Sequence, residues 1–353
     1  MTRPKKSEAK WTAQAAQVGE LLPPFRLHPA VLAWAAKRRK SDVWCVAFSG
    51  GADSLALLFL LWAQHPEKRR RLVALHFNHR LRGRESDGDE KFCRTVCAAL
   101  GVRLRVGQWN SLGGALRSTV GHKARPTVSE AEARAARQEF FAKEMKRLRS
   151  RVLWQAHQQD DIAESMLMRL ARGSGIGGLA APRPVQVIAG GRVHLRPLLT
   201  LKKSELVAAL RKAGAVWRED SSNAAAVYFR NRVRRVVIAP WIKAAGRDAL
   251  AGAALSRELL DEDEQALESW VDDLAPLGRD RQLDLAALAG KPRAVVRRAL
   301  HRWLLVQKQP ADLSRQGFEV LLAAVGRGQP TRFSLGARGF AVIRARRLAF
   351  KTR

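Results

Sequence analysis

At 353 residues with 46% apolar side chains, the chain can build two domains with cores of their own, which excludes a wholly disordered protein. Its formal net charge of +32, from 64 basic against 32 acidic residues, makes a compact fold repel itself and points to a polyanionic partner, nucleic acid first. Three cysteines, Cys45, Cys93 and Cys97, without a CxxC spacing, and the lack of a long apolar run argue against a disulfide framework, a zinc motif and a membrane span; the expected location is the reducing cytoplasm.

Residues 1 to 40 are basic, and MTRPKKSEAKW has no hydrophobic signal core. "LLPPF" breaks any long helix, so this stretch reads as a mobile basic arm ending in a short helix, HPAVLAWAAKRRK. From residue 43 onward, short apolar runs alternate with amphipathic segments. Strands are predicted at Val43–Phe48, Leu72–Phe77, Val102–Val106, Val152–Ala156 and in VHLRPLL, and helices over 53–64, 86–100, 129–148 and 160–171. Strands buried on both faces and joined by such helices specify an α/β fold with a doubly wound parallel sheet. A catalytic domain is thus expected over 41–239. A second, mainly helical domain is expected over 240–353, ending in a small β element (TRFSLGARGFAVIRARRLAFKTR). Ligands of such sheets lie outside the carboxyl ends of the strands, so the loops after Phe48, Phe77 and Ala156 form one candidate site.

The first loop is Ser49-Gly50-Gly51-Ala52-Asp53-Ser54. Its glycines permit a sharp turn and close approach to a ligand, and the amides that open the next helix face an anion. GxxxxGK[ST] is missing, which argues against a Walker-type NTPase. Asp53 either caps the helix or meets a cation, Mg2+ or a substrate ammonium, since a bare carboxylate repels phosphate. In the second loop, LHFNHRLRGRES, His76 and His79 lack an obvious third metal ligand. In the third, WQAHQQDDIAES, His157 ends a strand while Asp160 and Asp161 open a helix that Glu164 could close as a capping box.

SGGADS resembles the PP-loop of the ATP pyrophosphatases. SGGADS, LHFNHRLR with Glu85-Ser86, EAEARAARQEFF, HQQDD with RGSGIGGL, LRPLLTLKKSEL and WREDSSNAAAVYFRNRVRR together resemble the tRNA(Ile)-lysidine synthetase family, in order, over roughly 43 to 240. Arg80 stands where that family usually has glycine and Gln138 where it usually has tyrosine.

The resemblance implies an adenine nucleotide alpha hydrolase-like fold and a two-step reaction. O2 of the wobble cytosine in the CAU-anticodon isoleucine tRNA attacks the α-phosphate of ATP, and free lysine then displaces AMP to give lysidine. Ser49, Gly50, Gly51, Ala52 and Ser54 are expected to hold pyrophosphate, and Asp53 Mg2+ or the attacking amine. His157, Asp160 and Asp161 are expected around lysine, ATP or metal. Arg134 and Arg137 either stabilise phosphate charge or form a solvated stripe. Asp220 and Asn223 serve as helix caps or substrate contacts, and Arg230, Asn231 and Arg234 face tRNA or substrate. Gly173 is either a helix C-cap or part of a flap. The C-terminal domain is expected to bind tRNA, and a homodimer stays open. The competing readings are a PP-loop tRNA thiolation enzyme, an amidotransferase-type synthetase and a catalytically inactive basic RNA-binding protein.

Overall fold

The computed structural model describes residues 6–80, 84–109, 130–219, 229–307, 313–336 and 339–352, in two compact units, Met1–Glu258 and Leu259–Arg353. In the first unit β1 (Trp44–Ala47), β2 (Leu72–Asn78), β3 (Arg103–Gln108), β4 (Val152–Trp154), β5 (Val185–Ile188) and β6 (Arg192–Leu195) form one sheet. Its order is β3-β2-β1-β4-β6-β5; all neighbours are parallel except the edge pair of β5 and β6. The winding reverses at β1, which has β2 on one side and β4 on the other. That reversal opens a crevice between the loops after β1 and β4, the place where doubly wound sheets take their ligands.

The helices of this unit are α1 (Lys6–Leu21), α2 (Pro29–Ala36), α3 (Ala52–Gln64), α4 (Arg84–Ala99), α5 (Glu130–Arg147), α6 (Gln159–Leu170), α7 (Ile176–Leu179), α8 (Lys203–Lys212), α9 (Phe229–Arg232) and α10 (Ala239–Ala244). A π-helical turn, Val233–Ile238, joins the last two. Side chains alternate along β1 as the pleat requires. Trp44, Val46 and Phe48 enter the core built with α1, α3 and α8, while Cys45 joins Phe140, Phe141 and Met145 of α5. Both faces are thus covered, which explains the near-continuous apolar strands.

The expected mobile arm over 1 to 40 is corrected for the described residues. Helix α1 lies on α3 with Trp11, Ala15 and Val18 buried, and α2 buries Val31 and Ala35. The approach is close: a Cβ on Gly19 would stand 2.6 Å from that of Ala63. The basic excess expected of this stretch is not in α1, whose two lysines are matched by Glu8 and Glu20. Trp11 meets Phe59 and Phe92 edge-on at 6.1 and 5.8 Å. Trp11→Ala should therefore cost about 3–5 kcal/mol in urea denaturation; a loss below about 1 kcal/mol would return α1 to the status of an arm.

In the second unit an antiparallel sheet of β7 (Leu283–Asp284), β8 (Thr331–Ser334), β9 (Phe340–Arg344) and β10 (Arg347–Lys351) takes the order β7-β10-β9-β8. The helices are the end of α11 (Ala249–Leu274), α12 (Arg293–Val306) and α13 (Arg315–Arg327), around Trp303, Leu300, Leu321 and Leu348. The acidic run of α11 pairs Glu264, Glu268 and Asp272 with Arg298 and Arg302 of α12. The boundary expected near Pro240 falls instead at Glu258, inside α11: Leu250 and Ala253 belong to a cluster with Ala163, Val233 and Ile238 of the first unit. Pro240 lies two residues past the π-helical turn, inside a run that is helical from α9 through α10, so it marks no break between units.

Candidate active site

The carboxyl edge of the first unit's sheet holds a cavity of about 700 Å³ that draws on the loops after β1, β2 and β4 and on α5 and α9. Its phosphate end is the SGGADS loop. Gly50 has φ +90°, a left-handed conformation that favours glycine, and Gly51 caps α3 without a side-chain bond. The Ser54 hydroxyl donates to the Gly51 carbonyl at 3.0 Å and stands 3.1 Å from Ser49 Oγ, so the two hydroxyls tie the loop to itself. Ala52 is buried at the first position of the helix. No side chain caps the opening amides of α3, which leaves them for an anion.

Asp53, one residue into the helix, lines the cavity. Its Oδ1 is buried with no hydrogen-bond partner among the described residues. Burial pushes its carboxyl up to about 6; Lys203 and Arg234 oppose the shift, and Asp161 and Asp160 reinforce it. An orphaned oxygen with other acids nearby is a receptor for a cation, so the donor chemistry fits the expected Mg2+ or ammonium. No group of three or more His, Cys, Asp or Glu side chains suited to a metal occurs among the described residues. A cation held here would thus depend on substrate oxygens.

The two acids of HQQDD part company. The side-chain Oδ2 of Asp161 accepts from the Gln158 amide at 3.1 Å, and its Oδ1 from Arg230 at 2.6 Å on the cavity wall. Asp160 Oδ2 instead accepts from the Lys203 amide at 3.0 Å, at the first position of α8, and does not line the cavity. The capping box forms between Gln158 and Asp161, which corrects the expectation for Glu164. Glu164 is fully buried and accepts from Arg230 at 2.6 Å and from Arg234. Arg230 and Arg234 are four apart, so both reach one carboxylate from the same helix face.

His157 accepts at Nδ1 from Arg196 Nε at 3.2 Å. Burial, then the charges of Arg196, Arg230, Arg134 and Arg137, holds the imidazole well below its ordinary value. It is therefore neutral, with its proton on Nε2, a donor toward substrate. Arg196 is itself 6% exposed and anchored by the Arg183 carbonyl and Gln186. Sequence reasoning missed it; the signal was an arginine inside the apolar run VHLRPLL. Arg134, Arg137, Gln138 and Asn231 line the cavity as well. Asp220 and Asn223 lie outside the described residues.

His76 donates from Nδ1 to the Phe48 carbonyl at 3.0 Å, which leaves Nε2 a buried acceptor in the cavity. Arg80, in the family's glycine position, has φ +52°, the conformation that explains the usual glycine there. Gly173 has φ +69° and its amide bonds the Leu170 carbonyl at 2.9 Å, as a helix-ending glycine does. The cysteines are buried, but Cys93 is nearer the loop than its helical position suggested: a Cβ on Gly50 would meet its Sγ at 3.2 Å. Burial raises all three thiols, Cys45 to about 11, Cys97 to about 12 and Cys93 further.

A family model described as a PP-loop domain matches residues 27–240. The chain belongs to the PP-loop domain family. In fold the chain is similar to a U34-tRNA thiolase from Methanococcus maripaludis, with TM-score 0.52 and 17% identity over 72% of this chain and 80% of that one. In sequence the chain is 35% identical to the tRNA(Ile)-lysidine synthase of Geobacter sulfurreducens over 80% of this chain, and 30% identical to that of Bacillus subtilis over 85%. The Pseudomonas aeruginosa enzyme of the same name is 36% identical over 76% of it. The chain spans 58%, 63% and 56% of the length of these three relatives. Among the described residues no helix is long and apolar enough to cross a membrane.

Proposed function

We propose that this chain ligates free lysine to the wobble cytidine of a CAU-anticodon isoleucine tRNA, consuming ATP and releasing AMP and pyrophosphate, in the cytoplasm. The observation that carries the reading is the unpaired Asp53 Oδ1 beside the uncapped start of α3. One cavity thereby receives both an anion and a cation, as transfer of AMP followed by attack of an amine requires. The lysidine synthases among the relatives supply the substrates. O2 of the cytosine attacks the α-phosphate and pyrophosphate leaves onto the α3 amides; the lysine amine then displaces AMP from the activated base. Mg2+, when bound at Asp53, screens phosphate charge. Asp161 and Glu164 hold Arg230 and Arg234 toward the cavity, and neutral His157 donates from Nε2 without adding charge that would repel an ammonium. Asp160 acts at one remove, by fixing α8.

We assign the tRNA body in part to the second unit, whose Arg327, Arg332, Arg344, Arg346 and Arg347 are all exposed, a pattern suited to phosphodiester contacts. Thiolation is the weaker reading, because iron–sulfur and persulfide chemistry needs accessible thiolates, and these three thiols are buried and held protonated. The deciding assay is ATP-dependent incorporation of labelled lysine into a CAU-anticodon isoleucine transcript. Stoichiometric incorporation is expected; sulfur transfer with no lysine incorporated would overturn the proposal.

A further inference from the structure

Walker-type loops carry a lysine among their own residues, and SGGADS has none. The structure lays Arg218 across the loop instead. The Arg218 amide donates to the Gly50 carbonyl at 3.0 Å, and its Cγ would stand 3.6 Å from a Cβ at Gly50. Its guanidinium passes over Gly88 of α4, where a Cβ would come within 3.2 Å of Nη2. Glycine inside a helix costs roughly 1 kcal/mol against alanine, and clearance for this guanidinium is a reason to keep one there. Nε donates to Asp89 Oδ1 at 2.8 Å, which sets the plane of the group. The two terminal nitrogens make no hydrogen bond among the described residues, and Arg218 lines the cavity at its phosphate end.

We propose that Arg218 binds the leaving pyrophosphate and supplies, from a distant part of the chain, the cation that a Walker-type loop carries internally; this rests on the AMP-transfer reading above. The other cations of the cavity stand elsewhere. Arg230 and Arg234 are engaged by Glu164 and Asp161. Arg134 and Arg137 belong to α5, which covers the sheet face opposite α3 and α4. When the cytosine oxygen bonds to the α-phosphorus, the bond from that phosphorus to the bridging oxygen breaks and its electron pair departs with pyrophosphate. Charge therefore grows on the fragment held by the SGGADS amides, beside the open end of Arg218. Two parallel N–H donors match two phosphate oxygens.

The test measures binding of inorganic pyrophosphate and of AMP, each alone, to the full chain by titration calorimetry. The backbone bond to Gly50 survives any side-chain change, so Arg218→Met should fold as the parent does, losing only the ion pair with Asp89. It should bind pyrophosphate about tenfold or more weakly and AMP as before, with Arg218→Lys recovering part of the loss. Unchanged pyrophosphate binding in Arg218→Met would overturn the proposal, as would an equal loss for AMP, which would mark Arg218 as a strut. Since neither ligand reports on the modified base, a failure of the lysine-incorporation assay leaves this result standing on its own.

Discussion

Asp53→Asn should abolish pyrophosphate release while making the protein more stable at neutral pH. The two effects share one cause. Asp53 is buried with Oδ1 unpaired, and its carboxyl is pushed from the ordinary 3.8 up to about 6. A carboxyl whose folded value is raised binds its proton more tightly in the folded state. Its contribution to stability is complete below about pH 4 and is lost as pH rises through about 6. Asparagine cannot ionise, so its advantage should be absent at pH 4 and reach on the order of 3 kcal/mol above pH 7. Turnover should fall by roughly 10²-fold or more, because the cation receptor of the cavity is gone. Affinity for tRNA should hardly change, since an acid adds nothing to phosphodiester contacts. Thermal melts across pH 4 to 8, pyrophosphate release and tRNA binding check the three parts. Equal loss of tRNA binding and turnover would make Asp53 a structural acid.

Glu164→Ala should be the most destabilising single change in the site, by about 3–5 kcal/mol in urea denaturation, with activity lost as well. Glu164 is fully buried and accepts from both Arg230 and Arg234, so its removal leaves two half-buried guanidiniums without their shared counter-charge. The π-helical turn that contains Arg234 would then be held to α6 only by the apolar packing of Val233 and Ile238 on Ala163. Replacing all three by methionine should recover much of the stability and none of the activity, because a buried ion pair is costly mainly when only one side is removed. A Glu164→Ala protein as stable as the parent would show that the arginines find other partners.

The parallel sheet, the SGGADS turn and the HQQDD loop were legible in the sequence for local reasons. Continuous apolar runs of strand length, glycines before an apolar helix and acids at a helix start are short-range signals, and the strand and helix boundaries they imply agree with the structure to within a few residues. The C-terminal β element was legible in the same way, from alternation and glycine turns. Helix α1 was not, because Trp11, Ala15 and Val18 make a sparse apolar stripe among polar residues, and only the packing against α3 shows that it is buried.

What the sequence determined by itself was which loops would converge, since parallel strands joined by helical crossovers all end at the same edge of the sheet. Only the tertiary structure decided what each side chain does there. Asp160 and Asp161 are neighbours about 100° apart on one helix, so a single turn sends one to the amide of α8 and the other to Arg230 in the cavity. Arg196 reached His157, and Arg218 reached Gly50, across long stretches of chain. Such pairs depend on the packing of whole elements, and no local pattern encodes them.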